Sequence, residues 1–400
     1  MAAACRPCWP WPMPDRASFD ESTTEPAFLP YGRQEISDAD VKAVVEALCS
    51  GWLTTGPRVS EFEQAFAAHC GAGRGVAVNS GTAALHCAMR AIGAGPGDEI
   101  IVPALTFAAS ANAALYEGAA PVFADVEADT LLVDPASVAA KITSATKAIV
   151  AVDYAGQPAD YDALRAIAKA RGIALIADAC HAPGAIYKGA KVGTLADISC
   201  FSFHPVKHMT TCEGGMCTTD SAEIAAHIRR FRNHGIDSDH RSREKAGAHA
   251  YDMVELGFNY RLPDVQCALG LAQLSRLTAW VSDRQKVAGW YEAALAGLAE
   301  VTPLRVHKDR THAYHLYVVK LAEDIDRDHV FARLRAEGIG ANVHYAPVHL
   351  HSYYRNRGYG PGLAPVAEAA SKQILTLPMF PAMTQGDVAR VAGALTRATA

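Results

Sequence analysis

The chain has 400 residues, 50% of them hydrophobic and 20% charged, enough apolar material for a sizeable core and, at this length, for two or three folding units. A formal net charge of -5 gives no basic field for a phosphate backbone, and no dense Lys/Arg run is interleaved with aromatics, so nucleic acid is not expected as a partner. No stretch reaches the roughly 18 uninterrupted apolar residues that span a bilayer, and prolines stand where an N-terminal signal peptide needs its apolar segment. The cytoplasm is the expected location.

Taken in chain order, residues 1–28 carry Pro7, Pro10, Pro12, Pro14 and Pro26 with no apolar period, and read as a flexible leader. Cys5 and Cys8 form a CxxC there, without a second pair at zinc-finger spacing, so no metal site is expected. The other eight of the ten cysteines are scattered, mostly inside apolar segments, and read as buried free thiols. From Ser37 the pattern turns helical: Ser37 is the N-cap, Asp40 its capping partner, Val41, Val44, Val45 and Leu48 form one face, and Gly51 is the expected stop.

Seven β-rich runs then alternate with helical segments: Val76–Val78, Ile100–Val102, Val122–Ala124, Ala148–Val152, Ala174–Ala177, Ile198–Phe203 and Gly215–Thr218. Such alternation predicts an α/β fold with a mainly parallel seven-stranded sheet wrapped by helices. A helical stretch from about Pro263 to Leu298 leads to a smaller α+β region, with strands expected at His315–Leu321 and Gly340–Tyr345. The expected organisation is a leader (1–28), a large domain with an N-terminal arm (29–262) and a small C-terminal α+β domain (263–400).

Ligands of such sheets bind beyond the carboxyl ends of the strands, and three chemistry-bearing segments fall there. Asn79-Ser-Gly81-Thr82-Ala-Ala-Leu follows a strand and opens a helix, which makes it either an ordinary helix cap or a phosphate seat at the positive end of the helix dipole. Leu-Ile-Ala-Asp178-Ala-Cys-His181 puts a carboxylate at a strand end, where it either caps the next turn or pairs with a protonated ring nitrogen. Phe-Ser202-Phe-His-Pro-Val-Lys207 delivers a lone amine into a glycine-bearing turn. A lysine whose surroundings disfavour its charge is more often the neutral nucleophile that condenses with a carbonyl. Together, a phosphate cradle, a strand-end Asp and a downstream lysine supply what pyridoxal 5'-phosphate (PLP) requires, and Phe107 is placed to stack on its ring or to pack in the core.

These residues resemble a family, the fold-type-I DegT/DnrJ/EryC1/StrS sugar-nucleotide aminotransferases, from about Tyr31 to Leu395. The marks are Gly-Trp-Leu-Thr-Thr-Gly-Pro (51–57), Ser-Gly-Thr-Ala-Ala-Leu-His (80–86), Asp-Ala-Cys-His-Ala-Pro-Gly-Ala (178–185), Phe-Ser-Phe-His-Pro-Val-Lys (201–207), Glu-Gly-Gly (213–215) and Gly-Phe-Asn-Tyr-Arg-Leu (257–262). Tyr-Gly-Arg-Gln-Glu-Ile-Ser (31–37), Tyr-Ala-Gly-Gln-Pro (154–158) and Val-His-Tyr-Ala-Pro-Val-His-Leu (343–350) look most like the pseudaminic-acid branch, which aminates a UDP-4-keto-6-deoxy-N-acetylhexosamine at C4. The resemblance implies a fold-type-I PLP-dependent transferase working as a cytoplasmic homodimer, with L-glutamate and a UDP-linked keto-sugar as substrates. It implies Lys207 as the Schiff-base lysine and proton shuttle, Asp178 as pyridinium partner and His181 against the ring. It further implies Gly81, Thr82 and Ser202 at the phosphate, joined by Asn259 from the neighbouring subunit, and His344 and Tyr345 near the sugar nucleotide. Cys212 departs from the pattern, standing where many relatives have glycine. Other keto-sugar aminotransferases, a pyridoxamine-phosphate-dependent dehydratase with His in place of the lysine, and a non-catalytic sugar-nucleotide sensor are the alternatives; an intact Lys207, Asp178 and Ser202 speak against the last two.

Overall fold

The structure is a computed structural model that describes residues 28–238, 247 and 250–400. Residues 1–27 of the expected leader, with Cys5 and Cys8, lie outside the described residues. After helices α1 (Asp38–Leu48) and α2 (Pro57–Cys70), strands and helices alternate: β1 (Arg74–Val78), α3 (Gly81–Ala91), β2 (Glu99–Pro103), α4 (Ala108–Tyr116), β3 (Ala120–Ala124), α5 (Pro135–Ala140), β4 (Thr146–Val152), α6 (Tyr161–Arg171) and β5 (Ala174–Asp178). A short hairpin, β6–β7 (Ile186–Tyr187, Ala190–Lys191), precedes β8 (Ile198–Ser202), β9 (Gly215–Thr219) and α7 (Ala222–Phe231). The large sheet has the order β1-β9-β8-β5-β4-β2-β3, and only β9 opposes the rest, pairing antiparallel with β1 and β8. Each of the seven expected runs lies in one of these strands, with small shifts at the ends.

The period of two explains why the sheet is covered on both faces. Val76, Val78, Ile100 and Val102 enter one core cluster, while the intervening Ala77 and Ile101 enter the other. All are fully buried, and each Val or Ile contributes about 1.5–3 kcal/mol relative to exposure.

Of the helical expectations, one is met and three change in detail. The capping box is present, Asp40 N–H donating to Ser37 Oγ at 3.3 Å and Ser37 N–H to Asp40 Oδ2 at 2.7 Å. The apolar face of α1 is nevertheless largely exposed at Val45 and Leu48, and what the helix buries is Ala47 and Asp40, the latter bonded to Gln273 and Arg276. The helix ends at Leu48 with Cys49 as C-cap, before Gly51. The single helical stretch expected over 263–298 is two helices, Asp264–Leu274 and Leu277–Leu295; between them Ser275 Oγ donates to the Ala272 carbonyl at 2.7 Å and Arg276 bonds Asp40.

The small sheet is antiparallel, with β10 (Val301–Pro303) and β12 (Ile374–Leu377) flanking β11 (Tyr317–Leu321). Gly340–Tyr345 is not a strand; only Asn342 bridges to Thr376, and β12 holds the place beside β11. Leu29 clamps this region from the N-terminal arm, its N–H donating to the Gly338 carbonyl at 2.9 Å and its carbonyl accepting from Gly340 N–H at 2.7 Å. Leu277, Trp280 and Val281 pack with the large sheet, whereas Val287, Tyr291 and Leu295 join Leu29, Val319 and Leu375, so the two cores meet along one helix.

Candidate active site

At the carboxyl edge of the large sheet, the segments that leave β1, β2, β5 and β8 border a cavity of about 340 Å³. Gly81, Thr82, Phe107, Asp178, His181, Ser202, Lys207, His344 and Tyr345 all line it. Asn259 does not: it is exposed, and its carbonyl accepts from Asn79 Nδ2 at 3.4 Å.

One end of the cavity is built for an anion. Ser80 caps α3, taking Ala83 N–H on its hydroxyl at 3.0 Å and Ala84 N–H on its carbonyl. The amides of Gly81 and Thr82, first in the helix, are thereby left without a partner among the described residues, at the positive end of the dipole. Glycine at 81 is required by packing, since a Cβ there would lie 2.8 Å from Ser202 Cβ. The cradle therefore combines two amides with the hydroxyls of Thr82 and Ser202.

Asp178, the last residue of β5, is buried; its Oδ2 accepts from Ser110 Oγ at 2.6 Å and its Oδ1 from Cys180 N–H at 3.3 Å. Lys207 follows β8 in the turn toward β9, and its Nζ lies 3.3 Å from His315 Nε2. Burial lowers the Lys207 pKa, and the neighbouring Cys180 and Asp178 oppose that shift only in part. The rings around it are held neutral: burial and the Lys207 charge push His181 and His315 well below the ordinary histidine value and His344 down to about 4. His181 Nε2 lies 3.1 Å from Tyr345 Oη, and the Tyr154 hydroxyl bonds the His344 carbonyl. Phe107 stands at the mouth, 58% exposed, with its ring centroid 6.1 Å from that of Tyr345. The arrangement offers an amine whose charge burial disfavours, a fixed carboxylate and an anion seat around one space.

Sequence reasoning missed Tyr31, Ser110, Cys180 and His315. Tyr31 enters the cavity lining from the arm, where Met379 N–H holds its carbonyl at 2.9 Å. Thr106 and Ser110 are bonded hydroxyls at 2.8 Å spaced four apart where α4 begins, a polar pair in an alanine-rich segment that was the available signal. His315 carried none beyond preceding an apolar strand.

The cradle, carboxylate and amine agree with a sequence-family match: the model for DegT/DnrJ/EryC1/StrS aminotransferases covers residues 34–396. The chain belongs to the DegT/DnrJ/EryC1/StrS aminotransferase family. Among its family relatives, the spore coat polysaccharide biosynthesis protein SpsC of Bacillus subtilis is 41% identical over 90% of this chain and 94% of its own. Spr1654 of Streptococcus pneumoniae, described as a sugar aminotransferase and solved in its PMP-form, superposes with a TM-score of 0.88 at 32% identity, covering 93% of this chain and 99% of that one. Its PLP-form matches with a TM-score of 0.87. Helicobacter pylori PseC, an aminotransferase of pseudoaminic acid biosynthesis, superposes with a TM-score of 0.87 at 30% identity over 93% of this chain and 99% of its own. Among the described residues no helix is long and apolar enough to cross a membrane.

Proposed function

We propose that the protein is a cytoplasmic sugar-nucleotide aminotransferase that holds PLP in this cavity and moves an amino group from L-glutamate to the C4 ketone of a UDP-4-keto-6-deoxy-N-acetylhexosamine, giving UDP-4-amino-4,6-dideoxy-N-acetyl-β-L-altrosamine. The observation that carries this reading is the buried Lys207 amine sharing one cavity with Asp178 and an anion cradle whose Gly81 leaves no room for a Cβ beside Ser202. The cavity volume suits a ligand of this size. Thr82, Ser202 and the first amides of α3 would hold the phosphate, Asp178 the ring nitrogen, and His181 and Phe107 the ring. Bound there, PLP supplies an aldehyde that condenses with amines and a ring that draws off the electrons left when a proton departs. Lys207 takes and returns that proton as a base whose neutral form is favoured by burial. His344 and Tyr345 border the space left for the sugar.

A homodimer completes the site in this reading. Tyr251, Met253, Val254, Leu256 and Phe258 form an exposed apolar strip running into Asn259, with Leu256 74% exposed. Such a strip calls for a covering surface, and a second copy would bring Asn259 toward its partner's phosphate seat. PseC favours the pseudaminic-acid substrate; the higher identity to SpsC, whose description names a spore coat polysaccharide, supports the second reading of another nucleotide-linked keto-sugar. Incubation with glutamate and a panel of UDP- and dTDP-keto-sugars, with products identified by mass spectrometry and NMR, separates them. Preferential conversion of the UDP-4-keto-6-deoxy-N-acetylhexosamine is expected; preference for another sugar replaces the substrate, and absence of amino transfer to any of them overturns the reading.

A further inference from the structure

We propose that His315 is a positioning residue for Lys207, donating its Nε2–H to the lysine amine and so fixing where that amine rests when it is not bonded to a carbonyl carbon. The inference rests on the role proposed for Lys207 and extends it to a residue that no motif of the sequence marked.

The ring is clamped before it meets the lysine. The Leu316 N–H donates to the Ala155 carbonyl at 3.1 Å, and the His315 carbonyl accepts from Arg284 Nη1 at 3.4 Å, the same nitrogen that holds the Tyr314 and Met379 carbonyls. The His181 ring packs against it with centroids 4.4 Å apart, and the His208 ring lies 5.7 Å away on another side. Nε2 then faces Lys207 Nζ at 3.3 Å, the one side-chain hydrogen bond of that amine among the described residues.

The tautomer follows from the other nitrogen. His315 Nδ1 is buried and has no hydrogen-bond partner among the described residues. A proton on Nδ1 would bury an orphan N–H, which folded proteins avoid more strictly than an orphan acceptor, so the proton belongs on Nε2. An Nε2–H has something to donate to only if the amine keeps its lone pair. Once protonated, Lys207 meets an N–H where it needs an acceptor.

The surrounding groups agree. His181, His208 and Arg284 face His315 together with Lys207, and with burial they keep the imidazole uncharged. On the lysine side, Asp178 and Cys180 favour the ammonium but do not outweigh desolvation. The 3.3 Å separation thus sets the His315 N–H against the lone pair that Lys207 presents in its neutral form.

The test uses the full-length protein freed of cofactor. Lys207 is acetylated competitively across a pH series and its labelling midpoint read by mass spectrometry, in wild type, His315→Phe and His315→Gln. Phe keeps the ring volume and deletes the donor, so its midpoint is expected to rise by about half to one pH unit, as loss of one hydrogen bond to the neutral form requires. Gln retains an amide N–H and is expected to stay nearer wild type. A folded Phe variant with an unchanged or lowered midpoint overturns the proposal. Should that variant not fold, the ¹⁵N spectrum of ring-labelled histidine in the wild-type protein decides the matter: protonation at Nε2 of His315 is expected, and protonation at Nδ1 overturns it. Neither measurement requires amino transfer, so a wrong substrate or reaction leaves them intact. In the loaded enzyme the Phe variant is expected to lose kcat for the amino donor while KM stays nearly unchanged.

Discussion

Asp153 offers a sharp test of how charge is managed behind the cavity. It follows β4, whose Val152 pairs in register with Asp178, and its N–H donates to the Asp178 carbonyl at 3.1 Å. The side chain is wholly buried; Oδ1 accepts from Ala159 N–H at 3.0 Å and Tyr161 Oη at 2.9 Å, and Oδ2 has no partner. Burial pushes its pKa up to about 7, with the Asp178 charge adding to the rise and the two hydrogen bonds and Arg310 opposing it. Because the folded pKa stands above the unfolded value of 3.8, the folded state binds this proton more tightly. Its stabilisation is complete below the unfolded pKa, is lost as pH rises through the folded one, and is constant beyond.

A rise from 3.8 to about 7 corresponds to about 4 kcal/mol in all, of which about 2–3 kcal/mol falls between about pH 5 and about pH 8. Asp153→Asn keeps the shape and stays neutral throughout. Urea unfolding of both cofactor-free proteins over that range, compared as a difference so that every other titrating group cancels, should show the Asn variant gaining about 2–3 kcal/mol on wild type toward the alkaline end. A flat difference, or one of opposite sign, would mean that Asp153 is charged throughout and that Asp178 does not stand alone as the negative charge at the cavity.

Replacing Lys207 with Ala should abolish turnover while the circular dichroism spectrum and unfolding midpoint stay close to wild type; near-native transamination would remove Lys207 from the chemistry. Gly81→Ala sets a Cβ 2.8 Å from Ser202 Cβ, so a loss of about 1–3 kcal/mol in stability and weaker cofactor binding are expected. Unaltered affinity in a PLP titration counts against the cradle. Cys212 holds a left-handed φ of 66°, a region that costs a residue with a Cβ about 1–2 kcal/mol. Cys212→Gly should therefore stabilise by about 1 kcal/mol after the greater entropy of the unfolded glycine is subtracted; no gain in denaturant midpoint would mean the turn carries no strain.

The large sheet was readable because its buried strands are short β-branched runs between helical segments, and the site because strand ends and helix starts place Thr82, Asp178 and Lys207 on one edge. What escaped shares a physical cause: apolar periodicity reports a wish to be buried, not the surface that satisfies it. Val45 and Leu48 have the period of a packed face and are exposed, whereas Asp40, a charged residue, is buried against Gln273 and Arg276. Gly340–Tyr345 has the pattern of a strand, yet the only distant backbone its own backbone bonds, among the described residues, is that of Leu29 of the arm and Thr376 of β12. At the break after Leu274, Arg276 bonds a partner more than 200 positions away, Asp40, which no local window contains. His315 was invisible for the same reason, since it acquires its meaning only from the side chain opposite it.

The arm gives the small sheet a second grip on the cavity, beside the one it has through Thr376 and His344. Leu29 is rooted in that sheet's core, and Tyr31, two residues on, forms part of the cavity wall. A chain this short and this firmly bonded transmits displacement with little slack, so the two lobes cannot shift apart without withdrawing a phenol from the wall. Substitutions around Leu29, remote from every reacting atom, become handles for reshaping which sugars are admitted.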